Sequence, residues 1–178
     1  MNDTDDYLNL PKFHLHNIVD CNHNTPELFN HTYGEFKAFY IKDILYCYIP
    51  IPKCATQDTQ RALWEHPEVV SAVEFSPEDI QKARWFCGHR EIHQRLGSAY
   101  VSWSNHVSTK GISPTIPLND VLKRPELWDE HIYPQESFLQ IFDDNHITYT
   151  KLEVDSNNPE LYSNSLSNFL NIDITIGK

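Results

Sequence analysis

The sequence predicts an α/β domain built on a mainly parallel central sheet. Two patterns and one bulk property predict it. Runs of β-branched and aromatic residues at strand length alternate with amphipathic stretches at helical spacing. One run, "ILYCYIPI" (44–51), is apolar at nearly every position, as a strand covered on both faces would be. The chain has 178 residues, 12% of them aromatic and only five of them glycine, which suits one sizeable core and neither a linker nor a disordered segment. A single domain spanning 1–178 follows, without repeats or low-complexity segments.

The elements follow in order. The N-terminal segment 1–40 carries no firm element, since residues 1–35 are polar and broken by Pro11, Pro26 and Gly34. "AFYIKDILYCYIPI" (38–51) reads as a strand pair or one strand with a bend, ended by Pro50 and Pro52. "DTQRALWEH", from Asp58, starts as a helix does, and Pro67 lies beyond its end. "SPEDIQKA" (76–83) is a short capped helix with Ser76 as N-cap and Pro77 at the first helical position. "ARWFCGH" (83–89) is a second strand, with Trp85 in the core. In "REIHQRLGSAYVSW" (90–103), Ile92, Leu96, Tyr100 and Trp103 recur at helical spacing. Residues 104–130 are loop-rich. "ESFLQIF" (136–142) has helix or strand length, "HITYTKLEV" (146–154) alternates as a strand, and 158–172 closes as an amphipathic helix.

Bulk properties exclude several functions. A net charge of −11 argues against nucleic acid and against an anionic membrane surface. The opening "MNDTDDYLNL" is acidic rather than leader-like, and no apolar run is long enough to span a bilayer, so a cytoplasmic protein is expected. Cys21, Cys47, Cys54 and Cys87 show no CxxC spacing and are expected to be reduced, Cys47 and Cys87 as small hydrophobes. His14, His16, Cys21 and His23 crowd into one segment instead of forming two ligand pairs separated by a loop, so no metal is expected.

The chemistry concentrates where strands end. In a parallel α/β sheet, ligands bind where strands give way to helices, and the N–H groups there favour an anion. "PKCATQDT" (52–59) is such a junction, with Lys53 adding a full charge and Thr56 and Thr59 adding hydroxyls. It is not a Walker loop, because the lysine comes first and the glycines are missing. The competing reading is a plain turn whose lysine points to solvent. A second junction, "REIHQRLGSAY" (90–100), follows the second strand.

Together, "IPKCATQDT" and the RxxxxRLxSxY pattern resemble the sulfotransferase superfamily that uses 3′-phosphoadenosine 5′-phosphosulfate (PAPS), and most closely its carbohydrate branch. "HIYPQ" (131–135) is similar to an HxxPQ stretch of part of that branch. The strand and helix of "TKLEVDSNNPELYSNSLSNFLNI" (150–172), with Glu153, resemble its C-terminal region. The likeness covers about residues 42–172. It implies a three-layer α/β/α core of phosphate-loop-like topology, PAPS as donor, 3′,5′-adenosine bisphosphate (PAP) as product, and no metal. It implies that Lys53 contacts the 5′-phosphosulfate, and that Cys54, Ala55 and Thr56 cradle the 5′-phosphate. Arg90 and Ser98 would hold the 3′-phosphate, whose charge suits a guanidinium fork. Arg95 would act as an ion-pair partner, while Leu96 and Tyr100 face the core.

Gln57 and Asp58 stand where the family usually has Thr and Ser, and Ile92 where it usually has Pro. Gln57 can still donate. Asp58 opposes an anion if it points inward, or caps the helix if it does not, leaving Thr59 to supply the missing hydroxyl. The reaction also needs a base for the acceptor hydroxyl; His131 is the first candidate, followed by His66 and His106. The expected function is sulfuryl transfer to a hydroxyl of a carbohydrate or small molecule. The rival is a non-catalytic PAPS- or PAP-binding domain of the same fold, crippled at its first loop. A phosphate-loop kinase or hydrolase is the third reading, disfavoured because a clear magnesium aspartate is lacking. The short chain leaves room for a partner subunit, as in a homo-oligomer, to complete the acceptor site.

Overall fold

In the computed structural model, which describes residues 13–18, 35–108, 111 and 115–177, a short strand β1 (Phe13–His14) runs into one helical turn, α1 (Leu15–Ile18). Strand β2 (Glu35–Ile41) and strand β3 (Ile44–Tyr48) then form a hairpin. Its turn is Lys42–Asp43, both at positive φ (49° and 65°), the handedness that lets two residues reverse a twisted strand. Helix α2 (Thr56–Glu65), strand β4 (Val70–Ser71), the short helix α3 (Asp79–Lys82) and strand β5 (Arg84–Arg90) follow. Helix α4 (Ile92–Ser108) leads to helix α5 (Leu118–Leu122) and two 3₁₀ turns, Pro125–Leu127 and Gln135–Phe138. Helix α6 (Gln140–Asp144), strand β6 (Tyr149–Val154) and helix α7 (Pro159–Leu170) complete the order.

The strands form one six-stranded sheet, ordered β1-β2-β3-β5-β6, with β4 also on β2. This corrects the expectation of a mainly parallel sheet: it is mixed. The pairs β3–β5 and β5–β6 are parallel, whereas β1–β2, β2–β3 and β2–β4 are antiparallel. The reason is the hairpin, since a parallel neighbour needs a crossover of about a dozen residues and a two-residue turn permits only reversal.

Alternation along the central strands divides the core between the two faces. Cys47, Trp85 and Cys87 lie in a cluster with Phe138, Phe142 and Ile80. Tyr46, Tyr48 and Phe86 point the other way, toward Leu63 of α2 and Tyr162, Leu166 and Leu170 of α7. Trp85 and Trp103 are 2% and 0% exposed, and truncating either to alanine costs about 3–5 kcal/mol. Cys47, Cys54 and Cys87 are free and buried, and burial pushes the Cys87 thiol up to about 12.

Helix α4 departs from its expected face. Its buried stripe is Arg95, Ala99, Trp103 and Val107, while Ile92 is 56% exposed and Leu96 and Tyr100 are half-buried. The spacing is helical in either reading, but the stripe is rotated and begins with an arginine. A third cluster forms where Ala99, Trp103 and Val107 meet Val121 and Ile132. Tyr100 Oη donates to the Ile116 carbonyl (2.6 Å) and Trp103 Nε1 to the Leu127 carbonyl (2.7 Å), tying the loop-rich segment to the helix. Among the described residues, no helix is long and apolar enough to cross a membrane.

Candidate anion-binding site

Because β3 and β5 are adjacent and parallel, the loop after Tyr48 and the turn after Arg90 emerge on the same edge of the sheet. Between them opens a cavity of about 570 Å³, within the range of small-ligand sites. The first loop contributes Lys53 and Ala55, and the first turn of α2 contributes Thr56, Gln57 and Asp58. Arg90 at the tip of β5, with Ser98 and Ser102 of α4, forms the opposing side; Glu130 and His131 complete it.

The first loop is wound tightly. Lys53 and Ala55 have positive φ (66° and 58°), which costs about 1 kcal/mol or more for each side chain carrying a Cβ. This winding separates the side chains. Lys53 reaches across the cavity, its Nζ donating to Ser102 Oγ at 3.0 Å. Cys54 turns inward, 0% exposed, with Sγ donating to Gln135 Oε1 at 2.9 Å. Its backbone N–H donates to the Ile51 carbonyl (3.3 Å), so, against expectation, Cys54 offers a ligand neither its side chain nor its N–H. No side chain caps α2 at Ala55, so its first N–H groups lack the usual capping oxygen at the cavity wall.

Two hydroxyls differ from expectation. Thr56 lines the cavity, but its hydroxyl donates to the Ile51 carbonyl and braces the loop. Thr59 is fully buried: its hydroxyl donates to the Ala55 carbonyl (2.7 Å) and lies 2.8 Å from Tyr162 Oη, which then serves as donor. Thr59 does not line the cavity and cannot replace the missing hydroxyl. Asp58 does line it, and pairs with Arg61 at 3.8 Å rather than capping the helix.

On the second side, Arg90 Nε is buried with no hydrogen-bond partner, a guanidinium donor left over on the wall of an open cavity. Arg95 is 2% exposed and is a backbone clamp rather than an ion-pair partner, its Nε donating to the Pro52 carbonyl at 3.1 Å. Burial holds its pKa below the usual guanidinium value.

One residue that sequence reasoning missed, beside Ser102, Asp129 and Glu130, is Gln135, the last of the "HIYPQ" stretch. It is 4% exposed, its Oε1 accepts from the Arg90 N–H (2.9 Å) as well as from Cys54, and its Nε2 donates to the Arg90 carbonyl (2.7 Å). One amide thus ties both loops together. Gly88 sets the same spacing: a Cβ there would lie 2.4 Å from the Cys54 carbonyl oxygen. Gly88→Ala is expected to displace the first loop and destabilise the chain by about 1–3 kcal/mol, seen as a lower thermal midpoint.

The three histidines separate. His131 lines the cavity, and its Nδ1 lies 3.2 Å from Asp129 Oδ1, out of line for a good hydrogen bond. His106, on α4, lies at the other oxygen, Nδ1 to Oδ2 at 2.8 Å. His66 follows the last residue of α2, about 15 Å along the helix from the cavity, and its ring nitrogen lies 3.0 Å from the Asp173 carbonyl. It does not join the site.

Asp129 is pushed up by burial, but its contacts with His131 and His106 outweigh this and hold the carboxyl down at about 2. A depressed carboxyl contributes stability that is present above its unfolded value and lost as pH falls through the folded one. Asp129→Asn is therefore expected to cost about 2 kcal/mol at pH 7, shrinking between about pH 4 and 2, as denaturant midpoints over that window would show.

Donor atoms of His106, Asp129, Glu130 and His131 all lie within 4.8 Å of one another, so this group offers a ligand set for a cation. It is not the group in the N-terminal segment weighed from the sequence. There, His14 Nε2 lies 3.9 Å from Glu35 Oε1, the His16 side chain is outside the description, and Cys21 and His23 lie outside the described residues.

No protein-family model, curated protein or solved structure matches this chain.

Proposed function

We propose that the chain is a PAPS-dependent sulfotransferase acting on a hydroxyl of a carbohydrate or small molecule, and that its core is a variant of the three-layer sulfotransferase topology. The observation that carries the reading is the convergence of Lys53, the first turn of α2, Arg90, Ser98 and His131 on one cavity between adjacent parallel strand tips. The unpartnered Arg90 Nε fits a phosphate better than it fits solvent-free burial.

PAPS, when bound, supplies the sulfuryl group, whose S–O bond to the 5′-phosphate breaks as the acceptor oxygen attacks. Lys53 offers its ammonium to the negative charge that grows on the departing phosphate oxygen, an interaction stronger in the transition state than before it. The backbone of Ala55 and Thr56, at the uncapped start of α2, holds the 5′-phosphate. Arg90 and Ser98 hold the 3′-phosphate. His131 accepts the acceptor proton at Nε2, while the Asp129 carboxylate, 3.2 Å from Nδ1, favours the imidazolium that forms by its charge.

A second reading, a PAP-binding domain without turnover, is favoured by one observation: the acidic Asp58 is among the residues lining the cavity. Two measurements decide. Thermal stabilisation by PAP but not by ATP–magnesium supports both readings, and the reverse overturns both. Transfer of labelled sulfate from PAPS to an acceptor panel supports the enzyme; saturable PAP binding without transfer supports the binding domain.

A further inference from the structure

The cavity wall carries two cations, Lys53 and Arg90, and two anions, Asp58 and Glu130. Under the proposed function, on which this inference rests, both cations are committed to the phosphates of the donor. The side left for the acceptor is Ser102, Glu130 and His131, with the Asp129 carboxylate directly behind. Asp58 has Arg61 beside it, whereas Glu130 has the His131 ring at 3.8 Å and, among the described residues, no lysine or arginine within pairing distance. The whole chain is also acidic, at −11, so the long-range field repels a polyanion before it arrives.

We infer that the acceptor is a hydroxyl compound carrying a protonated amine, and that Glu130 selects it. A uronic-acid or sulfated polysaccharide meets the Glu130 carboxylate at this wall and is rejected, because discrimination arises from repulsion as much as attraction. An ammonium near Glu130 gains an ion pair in a partly shielded position. Since the Glu130 side chain is 40% exposed, the gain is that of a half-solvated pair, worth about fivefold in affinity.

The test begins with PAP binding followed by thermal shift, then compares labelled-sulfate transfer to a glucosamine oligosaccharide, its N-acetylated counterpart and a uronic-acid polysaccharide. The expected result is kcat/KM about fivefold higher for the amine-bearing sugar than for the neutral one, with the polyanion poorest. In Glu130→Gln, the ratio of the first two falls to near one, through KM for the amine-bearing sugar. Equal or better use of the uronic-acid polymer overturns the inference, as does a preference that survives Glu130→Gln. PAP binding with transfer to none of the three also overturns it while sparing the donor site. Absence of any PAP effect overturns the underlying reading, and the inference with it.

Discussion

Replacing Lys53 by alanine is expected to lower kcat for sulfuryl transfer by about 10²–10³-fold, the usual effect of removing one donor aimed at developing charge. The loss should fall on kcat more than on the affinity for PAP, because PAP no longer carries the sulfuryl group whose departure the lysine assists. Stability should change little. Among the described residues the Lys53 side chain donates one hydrogen bond, to Ser102 Oγ at 3.0 Å, and the left-handed backbone at Lys53 is no easier for alanine. Single-turnover transfer with labelled PAPS, beside a denaturant curve, measures both. A variant that kept its rate would leave the first loop as an ordinary turn.

The second large effect is expected at Gln135. Gln135→Leu keeps the volume roughly but removes an acceptor shared by the Arg90 N–H and the Cys54 thiol, and the donor to the Arg90 carbonyl. Burying these backbone groups without partners costs about 3–5 kcal/mol, or roughly 10 °C in thermal midpoint for a chain of this size. Because the same amide fixes the distance between the two loops, PAP affinity should fall with stability. Gln135→Glu is the control, since its carboxylate can still accept from Arg90 and Cys54 but cannot donate to the Arg90 carbonyl when ionised. Its stability should lie between wild type and Gln135→Leu.

Much of the site could be read from the sequence because its parts are local. Pro50 and Pro52 mark the end of a strand, Lys53 follows at once, and the helix formers after Asp58 announce α2. Arg90 and Ser98 are likewise placed by the strand and helix on either side of them. What could not be read is long-range or hidden by residue type. Hydrophobic patterning is the same for a strand in either direction, so β2 could not be known to run antiparallel until the left-handed Lys42–Asp43 turn was seen. Arg95 reads as an ion-pair partner, yet it lies at the start of the buried stripe of α4, and leaving it out of that stripe turned the predicted face toward Ile92. Thr59 and His66 have suitable chemistry but sit on the wrong side and the wrong end of α2. Gln135 lies 45 residues from Arg90 and 81 from Cys54, and no local pattern signals a contact across that distance.

The central claim is that two neighbouring strand tips hold the two phosphate groups of one adenosine. Calorimetric titration with PAP, beside 5′-AMP, which lacks the 3′-phosphate, tests it most directly. Saturable binding of one PAP per chain is predicted, with 5′-AMP at least tenfold weaker and the difference abolished in Arg90→Ala. Equal affinity for the two nucleotides, or no heat with either up to millimolar concentration, would contradict it.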